Sequence, residues 1–369
     1  MDFMPTEEQA AARDLAGEIF GDLSTPERLA AAGTGSDAEL WKALCAAGLP
    51  GAVEDVGLLG LVLLLEEQGR VTAQVPFAAS CVYGLLAVAA HGTEEQRTRL
   101  LPGLRDGTAV ATGAFPARGG VAVSGEGALT GEVGWVPWLR DATEVLVAVR
   151  DSAPRGGHSL WRVRVADAVT EPVELTAPWA AGRLVLDGAP GERIGGDGAY
   201  DDVLVGARTA FAGLQAGVCA GSLARAVAHT NEREQFGRPL AAKQAVQLRA
   251  ADAHMDTETI RVTAYEAAWR RDTGLPYVIH ALTAAWWASE AGKRVVHAGQ
   301  HLHGGMGADL DHPVHRHFLW GRQLDAYLGS GSEVLAEMGA LIAEGSEESK
   351  GLEESKGLES GKSAAEETV

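Results

Sequence analysis

Apolar positions recur with helical spacing through residues 1–107, break into short runs between turn residues over 108–199, and regain helical spacing from 200 to 344. In the first stretch Thr6 is followed three residues later by Gln9, a capping-box pair that opens an Ala- and Leu-rich helix. Ser36 or Asp37 is placed to cap a second helix through Glu39, Leu40 and Trp41, ending near Gly48-Leu49-Pro50. A third helix is expected over 58–68, a fourth over 78–90, and a short fifth after the pair Thr93 and Gln96.

From 108 to 199 the chain is rich in Gly and Val, with short runs at 121–123, 144–149, 160–165 and 183–186. Gly119-Gly120, Gly125-Glu126-Gly127 and Arg155-Gly156-Gly157 separate these runs, which predicts an antiparallel sheet. Helices, then sheet, then helices make an α+β arrangement of separate layers. Residues 345–369 differ again: Glu347-Glu348-Ser349-Lys350-Gly351-Leu352 repeats at 353–358, and so polar a segment cannot bury a core. It is expected to be a disordered acidic tail.

Composition narrows the function. A chain of 369 residues suffices for two or three domains with a buried core. The net charge of −19 argues against nucleic acid, whose binding needs a basic face. Cys45, Cys81 and Cys219 are widely spaced in Ala-rich settings and read as small buried residues in a reducing compartment. The N-terminus lacks the basic-then-apolar order of a signal peptide, and the apolar run 58–65 is too short to span a bilayer. A cytoplasmic protein, with no membrane partner, is the expectation.

Two segments in the second helical region carry candidate chemistry. Arg233-Glu234-Gln235-Phe236-Gly237-Arg238-Pro239-Leu240 offers a guanidinium that can grip a pyrophosphate with paired hydrogen bonds, an aromatic ring and a tight turn. His301-Leu302-His303-Gly304-Gly305-Met306-Gly307 offers backbone amides that can approach a phosphate or ribose closely. Taken alone, Arg233 reads as a surface arginine at a helix end; the pairing with the Gly cluster favours a cofactor. Five histidines (His301, His303, His312, His315, His317) crowd one stretch, but without cysteines they read as packing rather than a metal site. Trp286-Trp287 reads as helix packing.

In combination these two segments resemble the RxxFG and QxxGGxG signatures of the acyl-CoA dehydrogenase family, with His301 in place of the family glutamine. The resemblance covers residues 1 to about 343. It implies an N-terminal helical domain (1–107), a middle antiparallel β domain (108–199) and a C-terminal four-helix-bundle domain (200–344). It also implies FAD as cofactor, an acyl-CoA substrate and electron-transfer flavoprotein as acceptor. Arg233, Gln235, Phe236, His301, Gly304 and Gly305 would bind the adenosine pyrophosphate end of a neighbouring subunit's FAD. The start Met1-Asp2-Phe3, Thr25-Pro26-Glu27, and Asp311-His312-Pro313-Val314-His315-Arg316 are similar to the β-type subunit of actinobacterial steroid side-chain acyl-CoA dehydrogenases, which are α2β2 heterotetramers.

The resemblance also exposes what is missing. The two positions at which the family carries its proton-abstracting glutamate read Leu328 and Ala207. Neither can take a proton. Asp325 and Glu333 are the nearest carboxylates in sequence to Leu328. The segments that would seat the flavin ring read Thr112-Gly113-Ala114-Phe115-Pro116-Ala117-Arg118-Gly119-Gly120 and Gly134-Trp135-Val136-Pro137. Pro137 has neither hydroxyl nor N–H to offer. The expected function is therefore a subunit without the catalytic base, completing the FAD site of a homologous catalytic partner that dehydrogenates a sterol side-chain thioester. A self-sufficient homomeric dehydrogenase with an atypical base, and a scaffold without redox work, are the alternatives.

Overall fold

The computed structural model describes residues 3–116, 120–125, 127–150 and 157–345. Most of the expected tail, from residue 346 on, lies outside the described residues. Helix α1 (Glu7–Leu23) starts on the Thr6–Gln9 capping box, the Gln9 N–H donating to Thr6 Oγ1 at 3.2 Å and the Thr6 N–H to Gln9 Oε1 at 3.0 Å. Helix α2 (Pro26–Ala32) follows, and Asp37, not Ser36, caps α3 (Ala38–Ala46).

The third expected helix is longer than its apolar run. Helix α4 (Leu49–Arg70) begins nine residues earlier and kinks at Gly57, whose φ of 71° favours glycine. The Asp272 carboxylate restarts the helix there, accepting from the Leu58 and Leu59 N–H groups at 2.9 and 2.8 Å. Helix α5 (Phe77–His91) contains a π segment at Ser80–Leu86, and α6 (Glu94–Asp106) starts on the Thr93–Gln96 capping box.

The sheet carries strands β1 (Ala111–Ala114), β2 (Ala122–Val123), β3 (Ala128–Val136), β4 (Glu144–Arg150), β5 (His158–Arg164), β6 (Val169–Pro172) and β7 (Gly182–Arg193). Its order is β1-β4-β5-β7-β3-β2, with β6 also on β7. The expectation of a purely antiparallel sheet needs correction: β1 pairs with β4 in parallel, so the sheet is mixed. Strand β4 is buried on both faces. Val145, Val147 and Val149 enter a core within the sheet layer, while Leu146 and Ala148 join the main core shared with the helices.

The C-terminal helices are α7 (Ala199–Glu232), α8 (Gln244–Asp272), α9 (Val278–His303) and α10 (Val314–Tyr327), followed by a helix over 331–345. Helix α7 is apolar around most of its circumference because it is the central, mostly buried helix. It crosses α4 closely: a Cβ on Gly217 would lie 2.0 Å from Glu66 O, and one on Gly221 would lie 2.1 Å from Arg70 O. The two helical regions thereby share one continuous core.

Candidate functional site

The Arg233 segment is a two-residue hairpin. Strands β8 (Glu234–Gln235) and β9 (Arg238–Pro239) pair across Phe236 and Gly237, whose φ values of 58° and 75° fit a type I′ turn. Holding a phenylalanine at positive φ places its ring in solvent, 92% exposed, with Lys243 Nζ 4.9 Å from its centroid. Arg233 itself ends α7; its N–H donates to His229 O at 2.8 Å and its carbonyl accepts from the Leu240 N–H at 2.8 Å. Its exposed guanidinium makes no hydrogen bond or ion pair among the described residues.

The Gly-rich segment sits beside it. His229, in the last turn of α7, stacks on His303, in the last turn of α9, at 4.7 Å. That contact brings the two motifs to one end of the bundle. Gly304 leaves α9 with φ 65°, and residues 304–308 form a single 3-10 turn. His301, Gly304 and Gly305 are exposed. Arg233, Gln235, Phe236, His301, Gly304 and Gly305 are all exposed at this end of the bundle, although the Gly304 N–H is taken by His301 O. A guanidinium without a partner among the described residues is a group that can bind a phosphate.

The flavin-ring segments are arranged differently. The Thr112 hydroxyl, buried in β1, donates to Pro137 O at 2.5 Å, so it is spent joining one segment to the other. Residues 117–119 of the first segment lie outside the described residues. Beside Thr112 and Trp135, aromatic side chains from several segments pack on one another. Phe115 stacks between Tyr83 (5.0 Å) and Tyr200 (5.2 Å), and Trp138 stacks on Trp179 at 4.4 Å. Tyr327 packs on Phe211 (4.9 Å), Trp135 (5.8 Å) and Trp179 (6.0 Å), and its hydroxyl lies 2.8 Å from that of Tyr83. Burial drives the acidities of both tyrosines well below the ordinary phenol's, so both remain neutral hydrogen-bonding groups.

Leu328 follows directly, 6% exposed, beside a cavity of about 20 Å³ lined by Phe211, Tyr327 and Arg208. Such a space holds about one water. Ala207 is fully buried in α7. The neighbouring carboxylates are already engaged. Asp325 accepts from Ser289 Oγ at 2.7 Å and pairs with Arg322 at 3.1 Å. Glu333 caps the 331–345 helix through the Ser330 N–H at 2.7 Å. Glu337 takes both Arg208 Nη groups at 2.8 Å, while Arg208 Nε donates to Leu328 O at 3.2 Å. A flavin ring does not fit this seat as packed.

Other sequence readings resolve simply. Cys81 and Cys219 are buried thiols pushed far up by burial, and Cys45 is raised to about 11 for the same reason. Trp286 and Trp287 pack edge to face at 4.9 Å. The aromatic filling was not legible in the sequence, because its members come from six separate segments with no periodic signal. The abundance of tryptophan, nine residues, was the only hint.

Comparison with known proteins agrees with the fold. The acyl-CoA dehydrogenase N-terminal domain matches residues 6–108, and the acyl-CoA dehydrogenase C-terminal domain matches residues 198–343. Acyl-CoA dehydrogenase FadE27 of Mycobacterium tuberculosis is 34% identical, over 93% of this chain and 99% of that protein. A solved variant of the Tcur3481-Tcur3483 steroid acyl-CoA dehydrogenase is 40% identical with a TM-score of 0.86, covering 92% of this chain and 99% of that one. The ChsE4-ChsE5 complex from Mycobacterium tuberculosis contains a chain 31% identical with a TM-score of 0.86, covering 93% and 99%. On its two domain matches and its full-length likeness to these proteins, the chain belongs to the acyl-CoA dehydrogenase family of FAD-dependent oxidoreductases.

Proposed function

We propose that this chain is the subunit of a heteromeric acyl-CoA dehydrogenase that lacks the catalytic base and completes the FAD site of a homologous catalytic partner. The observation that carries this reading is the contrast between its two half-sites. The ring seat is filled by Tyr83, Phe115, Trp138, Trp179 and Tyr327 beside Leu328, whereas the Gly304-Gly305 turn is exposed and Arg233 is exposed without a side-chain partner among the described residues. A chain with only the adenosine end of a dinucleotide site is useful next to a chain holding the other end.

FAD bound at such an interface supplies the hydride acceptor for Cα–Cβ oxidation of a CoA thioester, and the partner supplies the carboxylate that takes the α-proton. This chain's part is binding and orientation. Arg233 neutralises pyrophosphate charge with paired hydrogen bonds. The Gly304-Gly305 turn and His301 donate to the same end, and Phe236 and Gln235 cover it. Phe236, so exposed at its hairpin tip, becomes buried on assembly. Two of the similar solved structures are named as a steroid acyl-CoA dehydrogenase and as a two-protein complex, which supports a heteromeric assembly acting on a steroid thioester; an α2β2 assembly acting on a sterol side chain is the form proposed. Electron-transfer flavoprotein as electron acceptor and a cytoplasmic setting complete the proposal.

The test is Arg233→Ala in the co-purified complex. Losing a hydrogen bond to a charged group costs about 1.5–3 kcal/mol, a weakening of FAD binding by roughly tenfold to a hundredfold. Unchanged flavin occupancy and affinity would remove Arg233 from the cofactor site.

A further inference from the structure

A second basic site lies where α1 and α2, the end of α4 and the start of α10 converge, a cavity of about 350 Å³. None of Arg233, Gln235, Phe236, His301, Gly304 or Gly305 lines it. Its walls carry Arg225, Arg316, His312 and His315, and the one lining carboxylate is the exposed Asp311.

The two guanidiniums are unlike most others in this chain. Arg208, Arg261 and Arg162 each grip carboxylates. Arg316 instead donates only to a neutral acceptor, Gln74 Oε1 at 2.8 Å, and its Nε has no partner. Arg225 makes no hydrogen bond or ion pair among the described residues. Burial alone lowers the pKa of each, that of Arg316 to about 10, with no carboxylate opposing it. A half-buried cation without a counter-charge is unfavourable unless an anion joins it.

Two guanidiniums and the imidazoles of His312 and His315 around one small cavity form the donor set that a tetrahedral oxyanion satisfies.

We propose that this cavity, whose lining His312 packs against His303 of the Gly-rich segment at 4.9 Å, is a phosphate-binding site distinct from the Arg233 edge that takes either free phosphate or the phosphate of a small nucleotide. The charge of Arg225 and Arg316 supplies the attraction, and their N–H groups supply the hydrogen bonds to its oxygens.

Calorimetric titration of the full chain with orthophosphate and with cytidine 5′-monophosphate, a nucleotide without the adenosine proposed for the Arg233 edge, at constant ionic strength, tests this. One saturable site is expected, weakened about tenfold or more in each of Arg225→Gln and Arg316→Gln, since each loses charged hydrogen bonds. Tighter binding of the nucleotide identifies a nucleotide site, and equal or weaker binding identifies free phosphate. In phosphate-free buffer the two variants should melt no lower than the parent, because each removes an uncompensated charge. Arg233→Ala should keep the parent's phosphate affinity, so failure of the FAD clamp would not disturb this result. No saturable binding of either compound, or unchanged affinity in both Gln variants, overturns the proposal.

Discussion

Purified without a partner, the chain should be colourless, holding far less than one flavin per chain. To admit an isoalloxazine ring, the packed set of Tyr83, Phe115, Trp138, Trp179, Phe211 and Tyr327 would have to separate. Each aromatic pair contributes about 0.5–1.5 kcal/mol beyond its buried area, so opening several at once costs more than a ring deprived of its hydrogen-bond donors returns. Thr112, the one hydroxyl described in these segments, is bonded to Pro137 O. Adding a carboxylate does not repair this: Leu328→Glu in the isolated chain should show no dehydrogenase activity, because no ring is seated opposite it. Visible absorbance of the purified chain decides the matter. A yellow preparation with about one flavin per chain would mean that the aromatic set opens.

The largest loss of stability is expected from Glu66→Ala. Glu66 is 4% exposed in α4 and holds the N-terminal helices to α8. Arg261 donates to it through Nη2 at 2.6 Å and Nε at 2.9 Å, Tyr265 Oη at 2.8 Å and Arg70 Nη2 at 3.2 Å. Burial and then the Glu66 charge raise the Tyr265 pKa, which keeps its hydroxyl a donor. Removing the carboxylate leaves Arg261 poorly compensated, a loss of about 3–5 kcal/mol for a buried pair. The lower end applies here, since the Arg261 side chain is 20% exposed. The denaturation midpoint of the chain measures it. Combining Glu66→Leu with Arg261→Met should recover most of the loss, because an apolar pair of similar volume removes the stranded charge. A shift no larger than a surface substitution's would show that the cluster does not tie the helical regions together.

What the sequence revealed depended on how local its causes were. The capping boxes at Thr6 and Thr93 are settled within four residues and were readable, and the cap of α3 was narrowed to Ser36 or Asp37, of which Asp37 is the one used. The true start of α4 was not, because its kink at Gly57 is capped by Asp272, more than two hundred residues away in the chain. The antiparallel expectation failed at β1 for a similar reason. The chain leaves β1, passes through the β2–β3 hairpin and returns as β4 in the same direction, a choice made by the connection rather than by strand residues. Family signatures made the Arg233 and Gly304 segments visible, and the His229–His303 stack accounts for their meeting at one end of the bundle. The substitution at Leu328 could be read as a missing carboxylate, yet the filling of the ring seat could not, since Tyr83, Trp138, Trp179 and Trp320 converge only after folding. Arg225 in α7 and Arg316 in α10 lie far apart in the chain, so their meeting at one cavity could not be read from the sequence.

On the proposed function, one chain of each pair holds the flavin ring while this one completes its far end. Counting FAD against total protein in the complex purified with its homologous partner tests that most directly. One FAD for every two chains, retained by the parent complex and lost on weakening Arg233, is the expected result. One FAD for every chain, unaffected by Arg233→Ala, would contradict it and restore this chain as a dehydrogenase in its own right.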